Sequence, residues 1–244
     1  VRLAIFDIDG TLTETNDVDS VCFVRAMGDA HAVAEVNTNW GEYAHTTDSY
    51  ITREVLRGHF GRAPEDAERD KFISRFVGLL EESRSRDAAL FGETAGASAA
   101  LALLRAEPGW AVAIATGCWR ESGLMKLSAA GLETAGVPAA FAEDGVSREE
   151  ILLAALARAR NSYGLEGFDR VVSLGDGRWD VSAARNLGFA FVGVGGGERA
   201  ATLREAGASH VIEDFKDYGR LLRCLDEAEV PASRAENPRP AREI

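Results

Sequence analysis

The chain begins VRLAIFDIDGTLTETN, where Asp7 and Asp9 stand one residue apart directly after an apolar run. Two carboxylates this close repel each other, so either the turn is solvated or a cation lies between them. An apolar run ending in a polar group recurs at Thr116 after WAVAIA, and at Asp176 and Asp180 in SLGDGRWD. In open parallel sheets, ligands sit beyond the carboxyl ends of the strands. Adjacent parallel strands would therefore gather Asp7, Asp9, Asp176 and Asp180 at one edge. A hard divalent cation relieves their repulsion: Mg²⁺ accepts carboxylate and carbonyl oxygens, keeps several waters and can bind a phosphate oxygen. On this reading Asp7 and Asp176 are direct ligands, the backbone carbonyl of Asp9 is a third, and Asp180 orients them. The plainer alternatives are a solvated turn at Asp7 and Asp9, a GDG turn at Asp176, and helix N-caps at Thr116 and Asp180.

Strands and helices must hold these groups in place. Arg2 to Asp7 predicts a buried strand, because its apolar run is continuous rather than alternating. From 16 to 90 the segments DVDSVCFVRAM, SYITREVLRGHF and EDAERDKFISRFVGLLEESRSR predict helices and no strand. In the last of them Phe72, Phe76, Leu79 and Leu80 recur at helical spacing. Beyond 91 the pattern alternates. WAVAIAT, AAFAED, RVVSLGD, FAFVGVGGG and HVIEDF predict strands, and ASAALALLRA, RESGLMKLSAAGL, SREEILLAALARARNSYG, DVSAARNLG, ERAATLREAG and DYGRLLRCLDEA predict helices. Ser147 and Glu150 have the spacing of a capping box at the start of SREEILLAALARARNSYG. Alternation with short connections predicts an α/β fold, a doubly wound parallel sheet covered on both faces. The helical block interrupts it as an inserted subdomain. The glycine run in VGVGGGER lacks a phosphate-loop lysine and reads as a turn opening a helix.

Three motifs together carry a resemblance. The apolar strand followed by Asp7, Asp9, Gly10 and Thr11 resembles motif I, DxDGT, of the haloacid dehalogenase-like superfamily. Thr116 at a strand end resembles its motif II, and GDGRWD resembles its motif IV. A helical insert after motif I is similar to the C1 cap of phosphoglycolate phosphatase-like members. The resemblance implies a Rossmannoid core over 1–15 and 91–230 and an all-helical cap over 16–90, while the polar, Pro-rich composition of 231–244 predicts a flexible tail. It also implies a Mg²⁺-dependent phosphohydrolase acting on a small organic phosphomonoester through an aspartyl-phosphate. Asp7 would be the nucleophile and Asp9 the acid and then the base. Gly10, with Thr11, would turn the chain and leave backbone N–H groups free for the phosphate. The Thr116 hydroxyl and the Gly117 N–H would hold phosphate oxygens. One feature departs from the pattern: the family lysine between motifs II and IV corresponds to Arg148 in GVSREEI. An arginine keeps the charge with a different geometry. Lys126 is the competitor, although it follows Thr116 closely and falls inside a helical stretch.

Composition narrows the field. The formal net charge is −12, with no dense Lys/Arg cluster, which argues against nucleic acid and anionic membrane surfaces as partners. Cys22, Cys118 and Cys224 are far apart and show no zinc or disulfide spacing, so they read as small buried residues in a reducing, cytoplasmic setting. No apolar run approaches the ~18 residues of a membrane span. The expected partner is a small phosphate ester, and the oligomeric state is open. Competing readings are a phosphomutase of the β-phosphoglucomutase type, a haloacid dehalogenase, disfavoured by Asp9, and a non-catalytic phosphate-binding module. In the insert, Arg25 and His45 read as surface or structural residues, as does Arg120 beyond Thr116. Trp179 reads as packing between core and insert.

Overall fold

The computed structural model describes residues 1–232, so residues 233–244 of the expected tail lie outside the described residues. Six parallel strands form one sheet in the order β3-β2-β1-β4-β5-β6. They are β1 (Arg2–Phe6), β2 (Trp110–Ala115), β3 (Ala139–Ala140), β4 (Arg170–Gly175), β5 (Ala190–Val194) and β6 (His210–Ile212). β1 lies at the centre, with Leu3 opposite Ala111 on one side and Val171 on the other. A strand paired on both edges and covered on both faces must be apolar throughout, and Leu3, Ala4, Ile5 and Phe6 are all buried.

Alternate residues serve the two faces. Ala4 and Phe6 join Val112, Ile114, Val172 and Leu174 in one apolar cluster, which is covered by α4 (Ala97–Ala106) and α9 (Tyr218–Glu227). Leu3 and Ile5 join Ala111 and Ala113 under Ile151, Leu152 and Ala155 of α6 (Arg148–Tyr163). The predicted capping box opens α6: Ser147 Oγ accepts the Glu150 N–H at 3.2 Å, and Glu150 accepts the Ser147 N–H at 3.3 Å. The remaining helices of the alternating part are α5 (Arg120–Ala129), α7 (Arg178–Leu187) and α8 (Gly197–Ala206). The glycine run ends in the N-cap of α8 at Gly196.

Between β1 and α4 lie α1 (Asn16–His31), α2 (Asp48–Phe60) and α3 (Asp66–Arg86). Their apolar faces form a separate cluster around Phe23, Met27, Leu56, Phe72, Phe76, Leu79 and Leu80. Phe23 meets Phe72 edge-on at 4.9 Å, and Phe72 stacks on Phe76 at 5.8 Å. Trp119 and Ala142, from the far side of the sheet order, complete that cluster and seat the helices over the strand ends. No described helix is long and apolar enough to cross a membrane.

Because Phe72 is fully buried and touches two other rings, Phe72→Ala is expected to lower unfolding stability by about 3–5 kcal/mol. Urea or guanidinium titration checks this; a loss below about 1 kcal/mol would mean that the aromatic cluster is not what holds these helices together.

Candidate active site

The strand order reverses at β1, and the polar groups that follow β1, β2 and β4 meet at that edge, as the rule for open sheets requires. Oxygens of Asp7, Asp176 and Asp180 all lie within 4.8 Å of one another. Arg148 Nη1 stands 3.2 Å from Asp7 Oδ1 and 3.5 Å from Asp180 Oδ1, and its Nε donates to the Thr46 carbonyl at 3.0 Å. The Asp7 contact is an ion pair without hydrogen-bond alignment, so the buried Oδ1 accepts no hydrogen bond. An open carboxylate oxygen beside two more carboxylates is a donor set that fits a hard divalent cation.

The electrostatics support that fit. Burial pushes the Asp176 carboxyl up to about 6, with Asp7 adding to the rise and Arg199 and Asn16 opposing it. Burial pushes Asp180 up to about 8; Arg148 opposes this and Asp7 reinforces it. Both shifts express negative charge that the protein alone does not neutralise. Asn16 Nδ2 donates to Asp176 Oδ2 at 2.8 Å, and Arg199 reaches the same oxygen at 3.5 Å. Asp180 does not N-cap its helix. It is the third residue of α7, where its Oδ2 accepts the Gly177 N–H at 3.0 Å. That bond fixes the carboxylate, yet Asp180 also stands among the candidate ligands, closer in than an outer orienting role requires.

The turn after β1 departs from one expectation. The Gly10 N–H is bonded to the Thr13 carbonyl at 2.7 Å and the Thr11 N–H to the Ile8 carbonyl at 3.1 Å, so neither is free for a phosphate. The tight turn itself consumes them. Gly10 is required for another reason: its φ is +69°, and a Cβ there would come 2.0 Å from Asp176 Oδ2. Only glycine lets the turn pass beneath that carboxylate. Gly117 is pressed similarly, since a Cβ would meet the Thr46 carbonyl at 2.9 Å and the Arg148 guanidinium at 3.0 Å. Thr116 is buried and does not cap α5, whose N-cap is Trp119. The Thr116 hydroxyl donates to Cys118 Sγ at 3.2 Å.

Asp9 faces a second cation. Lys126, in the middle of α5 and fully buried, places Nζ 2.6 Å from Asp9 Oδ2 and also pairs with Asp19 of α1. Both lysine candidates of the sequence therefore reach the centre, Arg148 on Asp7 and Lys126 on Asp9. Cys118 Sγ donates to Asp9 Oδ2 at 2.6 Å, and the Thr15 hydroxyl bonds Oδ1. Burial alone would raise the Asp9 carboxyl, but Lys126 and these hydrogen bonds bring it below the usual range. Burial would lower the Lys126 ammonium, but Asp19 and Asp9 hold it well above the ordinary lysine value. Burial, with Asp9 beside it, pushes the Cys118 thiol well up, so Cys118 is a hydrogen-bond donor here.

Sequence reasoning missed Asn16, Asp19, Asp48, Cys118 and Arg199. Cys118 and Arg199 follow strand ends and could have been found by the same strand-end rule. Asp19 and Asp48 lie in the first turns of α1 and α2, and nothing local marks them. Arg25 forms an exposed pair with Asp29, and the Arg120 guanidinium lies over the Phe141 ring. His45 packs edge-on against Tyr50. Trp179 lines the cleft together with Asp9, Asp48 and Arg148.

Burial pushes Asp19 up to about 6, against the pull of Lys126 and with the push of Asp9. The unfolded value is near 3.8, so between about pH 4 and pH 6 the folded chain holds the extra proton and stability falls as pH rises. Asp19→Asn is expected to make that decline shallower, by on the order of 2 kcal/mol across the window. Urea titrations at stepped pH read it; an unchanged slope would show that Asp19 ionises normally.

A family model described as hydrolase, haloacid dehalogenase-like hydrolase, matches residues 1–188. A search of curated proteins by sequence returns no match. Among solved structures, a hydrolase from Pseudomonas syringae is 23% identical with a TM-score of 0.67, over 92% of this chain and 97% of that one. CbbY from Rhodobacter sphaeroides, solved in complex with phosphate, is 18% identical with a TM-score of 0.62, over 89% and 96%. A structure titled "predicted phosphoglycolate phosphatase" from Haemophilus somnus is 17% identical with a TM-score of 0.58, over 90% and 97%. At such identities these structures share the fold, while the family match spans most of the sequence. The chain therefore belongs to the haloacid dehalogenase-like hydrolases.

Proposed function

We propose that the chain is a Mg²⁺-dependent phosphohydrolase that cleaves a small organic phosphomonoester through a phosphoryl group held on Asp7. The observation that supports it most is the open, buried Oδ1 of Asp7 set between Arg148 and the carboxylates of Asp176 and Asp180. Asp7, Asp176 and the Asp9 carbonyl, with Asp180 beside them, would hold the cation. When bound, it supplies positive charge that offsets the repulsion between an anionic nucleophile and an anionic phosphate.

The chain's own groups do the rest. The Asp7 carboxylate oxygen bonds to phosphorus as the ester P–O bond breaks, and the leaving oxygen takes a proton from Asp9. Water then bonds to phosphorus, Asp9 takes a proton from it, and the Asp7–phosphorus bond breaks to release inorganic phosphate. Arg148 offsets charge on the phosphoryl oxygens, and Thr116 and Gly117 lie at the end of the neighbouring strand to hold them. In the arrangement seen, Asp9 receives hydrogen bonds from Lys126, Cys118 and Thr15, which suits the base of the second step. To act as the acid of the first step Asp9 must take up a proton from solvent, which a loosened Lys126 contact permits by raising the carboxylate's affinity for that proton; the second step then returns a proton to it from water. The helices α1 to α3 act as the cap, covering the cleft and excluding bulk water.

A phosphomutase would share the first step but must then admit a sugar phosphate acceptor with its own dianion. Asp17 and Asp48, which line the cleft without a cation partner among the described residues, oppose that. Product analysis separates free phosphate from a transferred phosphoryl group.

A panel of small phosphomonoesters including p-nitrophenyl phosphate, assayed with Mg²⁺ and with a chelator, is expected to show turnover only with the metal. Asp7→Asn should abolish it without changing the thermal midpoint by more than a few degrees. Arg148→Ala should lower kcat by about 10²–10³. Normal turnover by Asp7→Asn, or turnover indifferent to chelation, would overturn the assignment.

A further inference from the structure

A cavity of about 410 Å³ opens beside Asp9, Arg148 and Asp176 and runs between the strand ends and the helices α1 and α2. Its lining includes the carboxylates of Asp19 and Asp48, the exposed Asp17, and the rings of Phe23 and Trp40, which meet edge-on at 5.6 Å. The cations that line the cavity, Arg148 and Arg199, belong to the phosphoryl end, where they face Asp7 and Asp176. Lys126 lies below the wall, fully buried, and its ammonium is shared between Asp9 and Asp19. Asp48 keeps one recorded bond, the Trp119 N–H on Oδ2 at 3.0 Å. Among the described residues no cation pairs with Asp17 or Asp48. The acids of this wall outnumber the one ammonium beside them, so they cannot all ionise next to the aromatic rings until a further cation arrives.

That excess selects among substrates. A leaving group carrying a carboxylate or a second phosphate would meet unpaired acids and lose binding. A polyol could give hydrogen bonds to the acids but would leave their charge unopposed. A cation does both things the wall lacks: it neutralises the acids and sits against the rings. We propose that this cavity selects phosphomonoesters whose leaving alcohol bears an ammonium group, with Asp19 and Asp48 facing the cation and Phe23 and Trp40 beside it. This deepens, and rests on, the phosphohydrolase reading above. Burial drives the Asp48 carboxyl well above its ordinary value, with Asp19 adding to the rise, as expected of an acid waiting for a counter-charge.

The test isolates the charge by pairing substrates of one shape. Phosphocholine and its neutral isostere 3,3-dimethylbutyl phosphate differ only in a trimethylammonium against a tert-butyl group. With Mg²⁺, kcat/KM for phosphocholine is expected to exceed that for the isostere by about tenfold or more, the scale of one cation–aromatic and one ion-pair contact together. Asp48→Asn keeps an oxygen for the Trp119 N–H and should bring the ratio towards one. A ratio at or below one in the unmodified enzyme, a ratio untouched by Asp48→Asn, or faster turnover of glucose 6-phosphate or phosphoglycolate than of phosphocholine would overturn the proposal. If nothing in the panel turns over, p-nitrophenyl phosphate included, the phosphohydrolase reading has failed. The cavity is then judged by calorimetry with choline alone: binding weakened by Asp48→Asn supports the cation site, and no binding overturns it.

Discussion

The site depends on how two buried cations are divided among an excess of carboxylates. The strand ends and the first turns of α1 and α2 bring Asp7, Asp9, Asp19, Asp48, Asp176 and Asp180 into one region largely screened from water. Burial of so many acids would push most of them towards the neutral form. Arg148 and Lys126 oppose this unequally, and Asp9 is brought below its ordinary value while Asp19 and Asp180 stay raised. Arg148 stands against Asp7 and Asp180, while Lys126 takes Asp9 and Asp19. Asp7 and Asp9, the two aspartates of the proposed mechanism, thus each have their own cation.

The choice of cation at each place follows from geometry. An arginine entering from the first turn of α6 can span three acceptors with one planar group, and Arg148 does so, bonding the Thr46 carbonyl through Nε while Nη1 addresses two carboxylates. A lysine in that position could not make the third contact at the same time. Lys126 needs only a point charge on a flexible stem, and mid-helix it reaches over the Cys118 side of the cleft to two carboxylates. If Arg148 takes the place of the family lysine, as the resemblance implies, the departure is one of reach, and positive charge still stands beside Asp7.

Much of this was legible from the sequence, and the limits have physical causes. The parallel sheet, its helices and the helical block between 16 and 90 follow from continuous apolar runs and helical spacing, signals that are local. Asp7, Asp9, Thr116 and Asp176 could be named because each lies at a strand end, where topology dictates position, and Arg148 only because the resemblance pointed to a cation there. The hydrogen bonding of the Gly10 and Thr11 N–H groups could not be read, because a chain that turns this tightly closes its own bonds and the sequence shows only that glycine is needed. From the sequence Asp180 reads as orienting the ligands, with a helix cap as the plainer alternative; α7 begins at Arg178, which places Asp180 inside the helix and rules out the cap. Lys126 looked too deep in its helix to matter; what brings it to Asp9 is the packing of α5 against the turn after β1, where Gly123 lies close to Ile8, a tertiary fact. Asp19 and Asp48 carry no local mark at all, since their meaning arises only when α1 and α2 fold over the sheet.

Those last two residues show why the helices over the cleft and the chemistry beneath it cannot be treated separately. Lys126 has one contact on Asp9, after β1, and another on Asp19 of α1. Arg148 has one contact on Asp7 and another on the carbonyl of Thr46, just before α2. Asp48, at the start of α2, in turn accepts the N–H of Trp119, which opens α5. Any displacement of α1 or α2 relative to the sheet must lengthen a contact that a buried cation makes, and the charge released has to be taken up on the aspartate it still holds. In a region of low polarity that redistribution is large compared with thermal energy. On the mechanism proposed above, closure over a ligand and the protonation of Asp9 would then be two views of one event: what draws the helices inward would also decide how firmly Lys126 holds that carboxylate.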